Sequence, residues 1–398
     1  MKQRQMNTKI SRRSLAKTMG ALGATLPLLG HAAFDLDWFS ADSKSRLNEL
    51  YLSAEGYDAQ HYSLSWINPN KETSQQILAG FRGHGLCQNP AQPEQVIMFS
   101  RRPGTQGIRM NTLTGKLDGS FQSAKGRHMH GHGCFSHDGK YLYCVESDFQ
   151  SGKGLITVRD GQSLILINEF SSHGIGPHEI ALMPDNETLV VANGGLLTHP
   201  DSGRKVLNYN SMDSTLSYIN RHNGTLISEH RLNDKRLGES KASIRHLDVA
   251  NDGTIAIALQ VQRKALKHNK LMPLAAIHKP GQEITTLAAP ETLMVKLDDY
   301  MGSVKIHNDT RTVAFTSPKG DLAMFWNIDD FSLQGFHSFH DVCGLAVSQD
   351  NKCFVLSNSA GKIRQINART LKENKALSLH FPQKSWDNHL LSVTRPIS

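Results

Sequence analysis

The feature that most constrains this chain is a unit that recurs along it. An apolar stretch runs into an Asp/Asn-rich turn, and a second apolar or β-branched stretch follows. Residues 135–141 (FSHDGKY), 182–188 (LMPDNET), 249–255 (VANDGTI), 306–311 (IHNDTR) and 347–352 (VSQDNK) are its turns. Asp, Asn and Gly tolerate the backbone conformations that tight hairpins require. Two more strands usually follow, as at 155–159 and 164–168, or at 362–366 and 376–379. Four short strands in a unit of roughly 40–60 residues is the arithmetic of a propeller blade.

Inner strands are expected to start near residues 84, 132, 178, 246, 303, 340 and 389, which makes seven blades. Too little chain follows the last start to finish a blade. Three strands without a partner, at 50–53, 62–66 and 76–79, precede the first. The strand at 390–393 should therefore join those three and close the ring, leaving no sheet edge open. The expected fold is all-β: a seven-bladed β-propeller closed by N-terminal strands pairing with the C-terminal inner strand. It forms one domain over 34–398, with a helix expected only around 43–50. Six or eight blades are the neighbouring counts, and a pair of β-sandwiches is the more distant alternative.

Six of the seven starts carry a histidine: His84, His132, His178, His246, His340 and His389. The seventh has Ser303 instead. Inner strands of a propeller converge on one axis, so these imidazoles are candidate ligands for iron, copper or zinc. A single histidine in a polar pore is explained as well by a hydrogen bond to backbone. Six at one position are not required by the repeat. The same mouth should hold Glu55, Arg101, Arg102, Glu146, Asp148, Asn193 and Gln260, with Glu179, Arg245, Lys305, Asp341 and Asp387 beside the histidines. Among these, Glu179, Arg245, Glu146 and Asp148 are the candidate contacts to a bound cofactor. His128 and His130 alternate with His132 and would extend the cluster along one strand face.

No Gly-x-Ser-x-Gly elbow or phosphate loop is present, so nucleophilic catalysis has little support. Whether the chain is an enzyme stays open. A pore-centred hydrolase or lactonase would hold a hard cation with carboxylates and amides rather than imidazoles. A non-enzymatic interaction scaffold is the other alternative.

Residues 1–33 read as an export leader. Ser11-Arg12-Arg13-Ser14-Leu15-Ala16-Lys17 has the twin-arginine pattern, a mildly apolar stretch follows, and Gly30-His31-Ala32-Ala33 offers small residues for cleavage. The expected location is the periplasm. No later stretch is long and apolar enough to span a bilayer, and a monomer is expected. Six of the 44 basic residues and none of the 36 acidic ones lie in the leader. The remainder, 38 against 36, has a formal charge of +2, which gives no reason to expect a nucleic-acid partner. The five cysteines form no haem-attachment motif. Cys134 with Cys144, and Cys343 with Cys353, are candidate disulfide pairs, and buried thiols are the equal alternative.

With these motifs in place, the chain resembles a family of uncharacterised twin-arginine-exported propellers, a domain of unknown function often set beside imelysin-type iron-uptake genes. The residues that carry the resemblance are Arg82-Gly83-His84-Gly85, Gly131-His132-Gly133-Cys134-Phe135-Ser136, Ser172-His173-Gly174-Ile175-Gly176-Pro177-His178-Glu179, Ser243-Ile244-Arg245-His246-Leu247 and Trp386-Asp387-Asn388-His389. The resemblance implies a periplasmic seven-bladed propeller, a part in iron acquisition and periplasmic iron-uptake partners. It implies no reaction. A looser similarity is to nitrous oxide reductase, whose propeller carries hub histidines. The C-terminal copper domain of that enzyme has no counterpart here.

Overall fold

Seven four-stranded antiparallel sheets make up the described fold. The computed structural model describes residues 48–58, 60–203, 205–232, 241–266 and 269–395. The leader expected at 1–33 lies outside them, as do residues 43–47 of the expected helix. Leu50, at the end of that stretch, lies instead in the strand Glu49–Glu55. Among the described residues no helix is long and apolar enough to cross a membrane.

The inner strands of blades 1 to 7 are Gly83–Gln88, Arg127–Phe135, Pro177–Leu182, Ala242–Val249, Ser303–His307, Val342–Val347 and Leu391–Thr394. Blade 7 is the expected closure. Leu391–Thr394 pairs with Glu49–Glu55, which leads outward to Ser63–Asn68 and Thr73–Leu78. The register sets Leu52 opposite Leu391 and Leu50 opposite Val393. The strands second from the axis are packed by neighbouring blades on both faces. Gln95–Ser100 and Thr312–Ser317 are accordingly buried along their whole length. Outer strands meet solvent, and Leu333–Ser338 alternates between half-buried and exposed residues.

The turn between the third and fourth strands repeats in five blades. Asn111, Asp160, Asn220, Asn327 and Asn367 each open a five-residue turn. In each, the backbone N–H of the fifth residue donates to the carbonyl of the first, at 2.8–3.1 Å. The Asx side chain accepts from the N–H two residues on, an Asx turn. The fifth residue takes positive φ. It is Gly115 or Gly224 in two blades, and Leu164 (φ 62), Phe331 (φ 64) or Leu371 (φ 52) in three. This motif corrects one expected strand. Leu164 closes the turn, so the strand expected at 164–168 is Leu166–Ser171. The strand expected at 376–379 is likewise a turn, Lys375–Leu377, followed by the two-residue Leu379–His380.

All five cysteines are free thiols. Register explains the first pair: Cys134 faces Tyr143 while Cys144 faces Gly133. Successive residues point to opposite faces of a strand, so the two thiols lie on opposite faces of blade 2. Cys343 and Cys353 sit at opposite ends of the first hairpin of blade 6.

Candidate metal centre

The inner strands approach the axis through β-bulges. In blade 1 the register jumps from Gly83–Ser100 to Leu86–Met98, taking His84 and Gly85 out of the ladder. In blade 2 it jumps from Met129–Glu146 to Gly133–Cys144, freeing 130–132. In blade 3 His178 is the extra residue between Pro177 and Glu179, and in blade 4 Arg245 is the extra residue before His246. A bulge bends its strand and re-aims a side chain. Here it turns imidazoles toward the axis.

His84, His132, His178 and His246 meet there. Each offers one ring nitrogen, and the four nitrogens lie within 4.8 Å of one another. The four residues are 2%, 6%, 4% and 1% exposed. His389 joins them, its ring centroid 4.5 Å from that of His84, 4.8 Å from His132 and 4.6 Å from His246. The close approach depends on two glycines. A side chain at Gly131 (φ 105) would put its Cβ 2.6 Å from the ring of His84, and one at Gly85 would lie 2.7 Å from Nδ1 of His132. This is the physical content of the two Gly-His-Gly motifs.

Glu179 ties the ring together from below. Its Oε2 accepts from Nδ1 of His246 at 2.9 Å and from the backbone N–H of Leu247 at 3.2 Å. Its Oε1 lies 3.4 Å from Nδ1 of His132. A proton on each Nδ1, facing the carboxylate, leaves Nε2 of both rings with its lone pair toward the axis. Burial would raise the pKa of Glu179, but His132 and His246 outweigh it and hold the carboxyl well below its usual range. Burial holds His84, His178 and His389 well below the usual imidazole value, with neighbouring positive charge adding to it. His246 is lowered to about 4 by burial, which its bond to Glu179 only partly offsets. His84, His178, His246 and His389 are therefore neutral at physiological pH, the form that binds metal. Several of their nitrogens are buried without a hydrogen-bond partner among the described residues: Nδ1 of His84, Nε2 of His132, Nε2 of His246 and both nitrogens of His178. Buried polar groups are rarely left unpaired. A set of converging, partnerless imidazole nitrogens fits a transition metal.

Other expected site residues lie elsewhere. The structure does not bring His340 into the cluster. It sits in the turn before its strand, 80% exposed at the side chain and 3.2 Å from Asp321. The register explains this. Val342 pairs with Asn358 and Gly344 with Ser357, so the bulged residue of blade 6 is Cys343, in the place that His178 takes in blade 3. Glu146 is fully buried within blade 2, accepting from Thr157 at 3.0 Å with Arg159 at 3.8 Å. Asp148 pairs with Arg127 at 3.3 Å and caps the turn at Ser151. Neither touches the cluster. Arg245 does stay near it, 7% exposed, and its charge is among the causes that disfavour protonation of His178, after burial itself. Asp387 stands behind His84, 4.0 Å from its Nδ1, and is held by Arg82 at 3.0 Å and Arg101 at 2.6 Å. Two rings on the strand before His132 are also buried. His130 bonds Ser147 at 2.8 Å, and His128 stacks on Phe149 with centroids 5.2 Å apart.

The fold and this centre define a class: a seven-bladed β-propeller with a buried histidine cluster on its axis that could hold a metal. More particularly, the chain belongs to the family described as "Protein of unknown function (DUF1513)", which matches residues 78–393. No curated protein matches it. Among solved structures, a chain of Kuenenia stuttgartiensis hydrazine synthase is similar, with a TM-score of 0.60 and 13% identity over 77% of this chain and 90% of that one. At that identity the likeness is one of fold.

Proposed function

We propose that the protein binds a divalent transition-metal ion on the propeller axis, through His84, His132, His178 and His246, and that as an exported periplasmic protein it serves iron acquisition. One observation carries the metal reading: four buried imidazoles converge, each offering a nitrogen within 4.8 Å of the others, and every one of the four rings has a buried nitrogen without a hydrogen-bond partner among the described residues. Glu179 supports it by orienting two of them. The iron-acquisition part rests on the family resemblance and on the suitability of imidazole for iron. Periplasmic location rests on the pattern at Arg12 and Arg13.

The hydrolase reading loses its ligands. Glu55 is paired with Lys384 at 3.0 Å, and Glu146 and Asp148 are engaged within blade 2.

Elemental analysis of protein purified from the exported fraction tests the proposal, followed by titration of the metal-free protein with Fe(II), Cu(II) and Zn(II). One ion per chain is expected, with His178→Ala lowering the content while the far-UV spectrum stays unchanged. Protein that takes up none of the three ions overturns the metal reading and leaves an interaction scaffold. Replacing Arg12 and Arg13 with Lys should hold the precursor in the cytoplasm. Normal export of that variant would overturn the assignment of location.

A further inference from the structure

His389 stands outside the group of four, yet its ring is held by a neighbour of its own. Ser303, which stands in blade 5 where other inner strands were expected to carry a histidine, is 4% exposed. Its hydroxyl donates to the carbonyl of Asn388 at 2.9 Å and lies 3.1 Å from Nδ1 of His389. A serine hydroxyl has one hydrogen. With that hydrogen on Asn388, the oxygen can only accept from His389. Nδ1 of His389 therefore carries the proton, and Nε2 carries a lone pair. The next carbonyl, that of His389 itself, accepts from Ser53 at 2.7 Å, so the peptides on both sides of the ring are pinned.

That lone pair points at the cluster. Nε2 of His389 is 3.3 Å from Nε2 of His84. If this contact is a hydrogen bond, His84 must be the donor, because Nε2 of His389 has no hydrogen. Nδ1 of His84 is then deprotonated. That nitrogen is buried, has no partner among the described residues and lies 4.0 Å from Asp387. Its lone pair would face a carboxylate oxygen, a repulsive arrangement in a desolvated site. The conflict vanishes if His84 carries its proton on Nδ1, toward Asp387. Both Nε2 lone pairs then face one point. A 3.3 Å separation falls between the roughly 2.9 and 3.6 Å that neighbouring nitrogens take when each binds one five-coordinate ion at about 2.0–2.1 Å.

We infer that His389 is a fifth nitrogen ligand of the axial metal, and that Ser303 is the residue that positions it. The inference rests on the metal reading above and adds coordination number to it. The centre is five-coordinate and built wholly of imidazole. Structural zinc sites, by contrast, are almost always four-coordinate. The serine of blade 5 thus takes part in the site through the histidine of blade 7.

Cobalt(II) is the probe, because its visible bands are much more intense in four-coordinate than in five-coordinate environments. The full chain, freed of metal, is titrated with Co(II) and its spectrum recorded. Wild-type protein should bind one Co(II) and show the weaker five-coordinate bands. His389→Ala should still bind one Co(II) but show the intense four-coordinate bands. Ser303→Ala should weaken Co(II) binding by about 10–100-fold, the usual effect of losing an outer-shell partner. Ser303→Thr, which keeps the hydroxyl, should restore both affinity and spectrum. His389→Gln, closer in size, stands in if the alanine variant does not fold. Wild-type protein that binds no Co(II) sinks the metal reading itself. Wild-type protein that binds Co(II) with a spectrum unchanged by either substitution at 389 overturns this inference and leaves the four-histidine site standing. A Ser303→Ala variant with wild-type affinity and spectrum overturns the positioning role alone.

Discussion

At the scale of single residues, the site is governed by where protons sit on imidazole rings. Glu179 faces two such protons with one carboxylate, accepting from Nδ1 of His246 at 2.9 Å and lying 3.4 Å from Nδ1 of His132. A glutamine there could accept with its oxygen but would turn an N–H toward the other ring. Glu179→Gln is expected to cost about 10–100-fold in metal affinity with the fold retained. Competition with a chelator of known affinity measures the loss, and an unchanged constant would show that the carboxylate does not orient the ligands. His340→Ala is the paired control. Its side chain is 80% exposed, and metal content should not change. In sequence the two histidines look alike, since each heads an apolar stretch. What separates His178 from His340 is the register of the hairpin, which a one-chain pattern does not carry.

At the scale of elements, the five-residue Asx turn shows local chemistry and packing in competition. Leu164 holds φ at 62°, a region that costs a non-glycine residue about 1 kcal/mol or more. It is kept there because its side chain is 3% exposed, packed with Phe99, Phe121 and Leu142 between blades 1 and 2. Leu164→Ala should destabilise by about 2–5 kcal/mol, the usual cost of emptying a buried leucine site. Leu164→Gly loses the same packing but relieves the backbone, so it should be the more stable of the two by roughly 1 kcal/mol. Urea unfolding of the pair decides it. Glycine no better than alanine would mean that the turn is unstrained. Apolar residues at 164–168 read as a strand because hydrophobicity alone does not reveal a left-handed residue. The better signal was Asp160, set four residues before Leu164 as Asn111 is before Gly115.

At the scale of the whole molecule, stability depends on ring closure and on buried neutral histidines. Leu390 and Val393, 6% and 0% exposed, come from the last ten residues; Leu390 packs between blades 6 and 7 and Val393 between blades 7 and 1. Deleting residues 389–398 removes the inner strand of blade 7. The two side chains alone contribute about 3–6 kcal/mol, so the whole ring should melt at lower temperature in one cooperative transition. A truncated chain with unchanged melting would mean that closure does not stabilise the ring. Acid should also unfold the protein early. Burial lowers His128, His246 and His278 to about 4, against an ordinary value near 6.5. Between those two values the unfolded chain binds more protons than the folded one, so stability must fall as pH drops through that window. The urea midpoint of metal-free protein should decrease steadily from pH 7 to pH 4. A flat profile would mean that these rings are not held neutral by the fold.

The sequence by itself determined the architecture. Turn residues at regular spacing, β-branched strands between them, and two chain ends that each lacked a partner sufficed to specify seven blades and their closure, because strand period and hairpin chemistry are local properties. It also marked five of the residues that meet on the axis, since each stands just before or at the head of a short apolar stretch. Only the tertiary structure decided which heads reach the axis. The bulges that bring in His84, His132, His178 and His246, and that put Cys343 rather than His340 at the hub of blade 6, are offsets between two paired strands. The same holds for Glu179 bonding His246 from the neighbouring blade, and for Ser303 fixing His389 from two blades away. Those contacts join residues 67 and 86 positions apart. They form only when the ring closes and brings distant strands to a common axis.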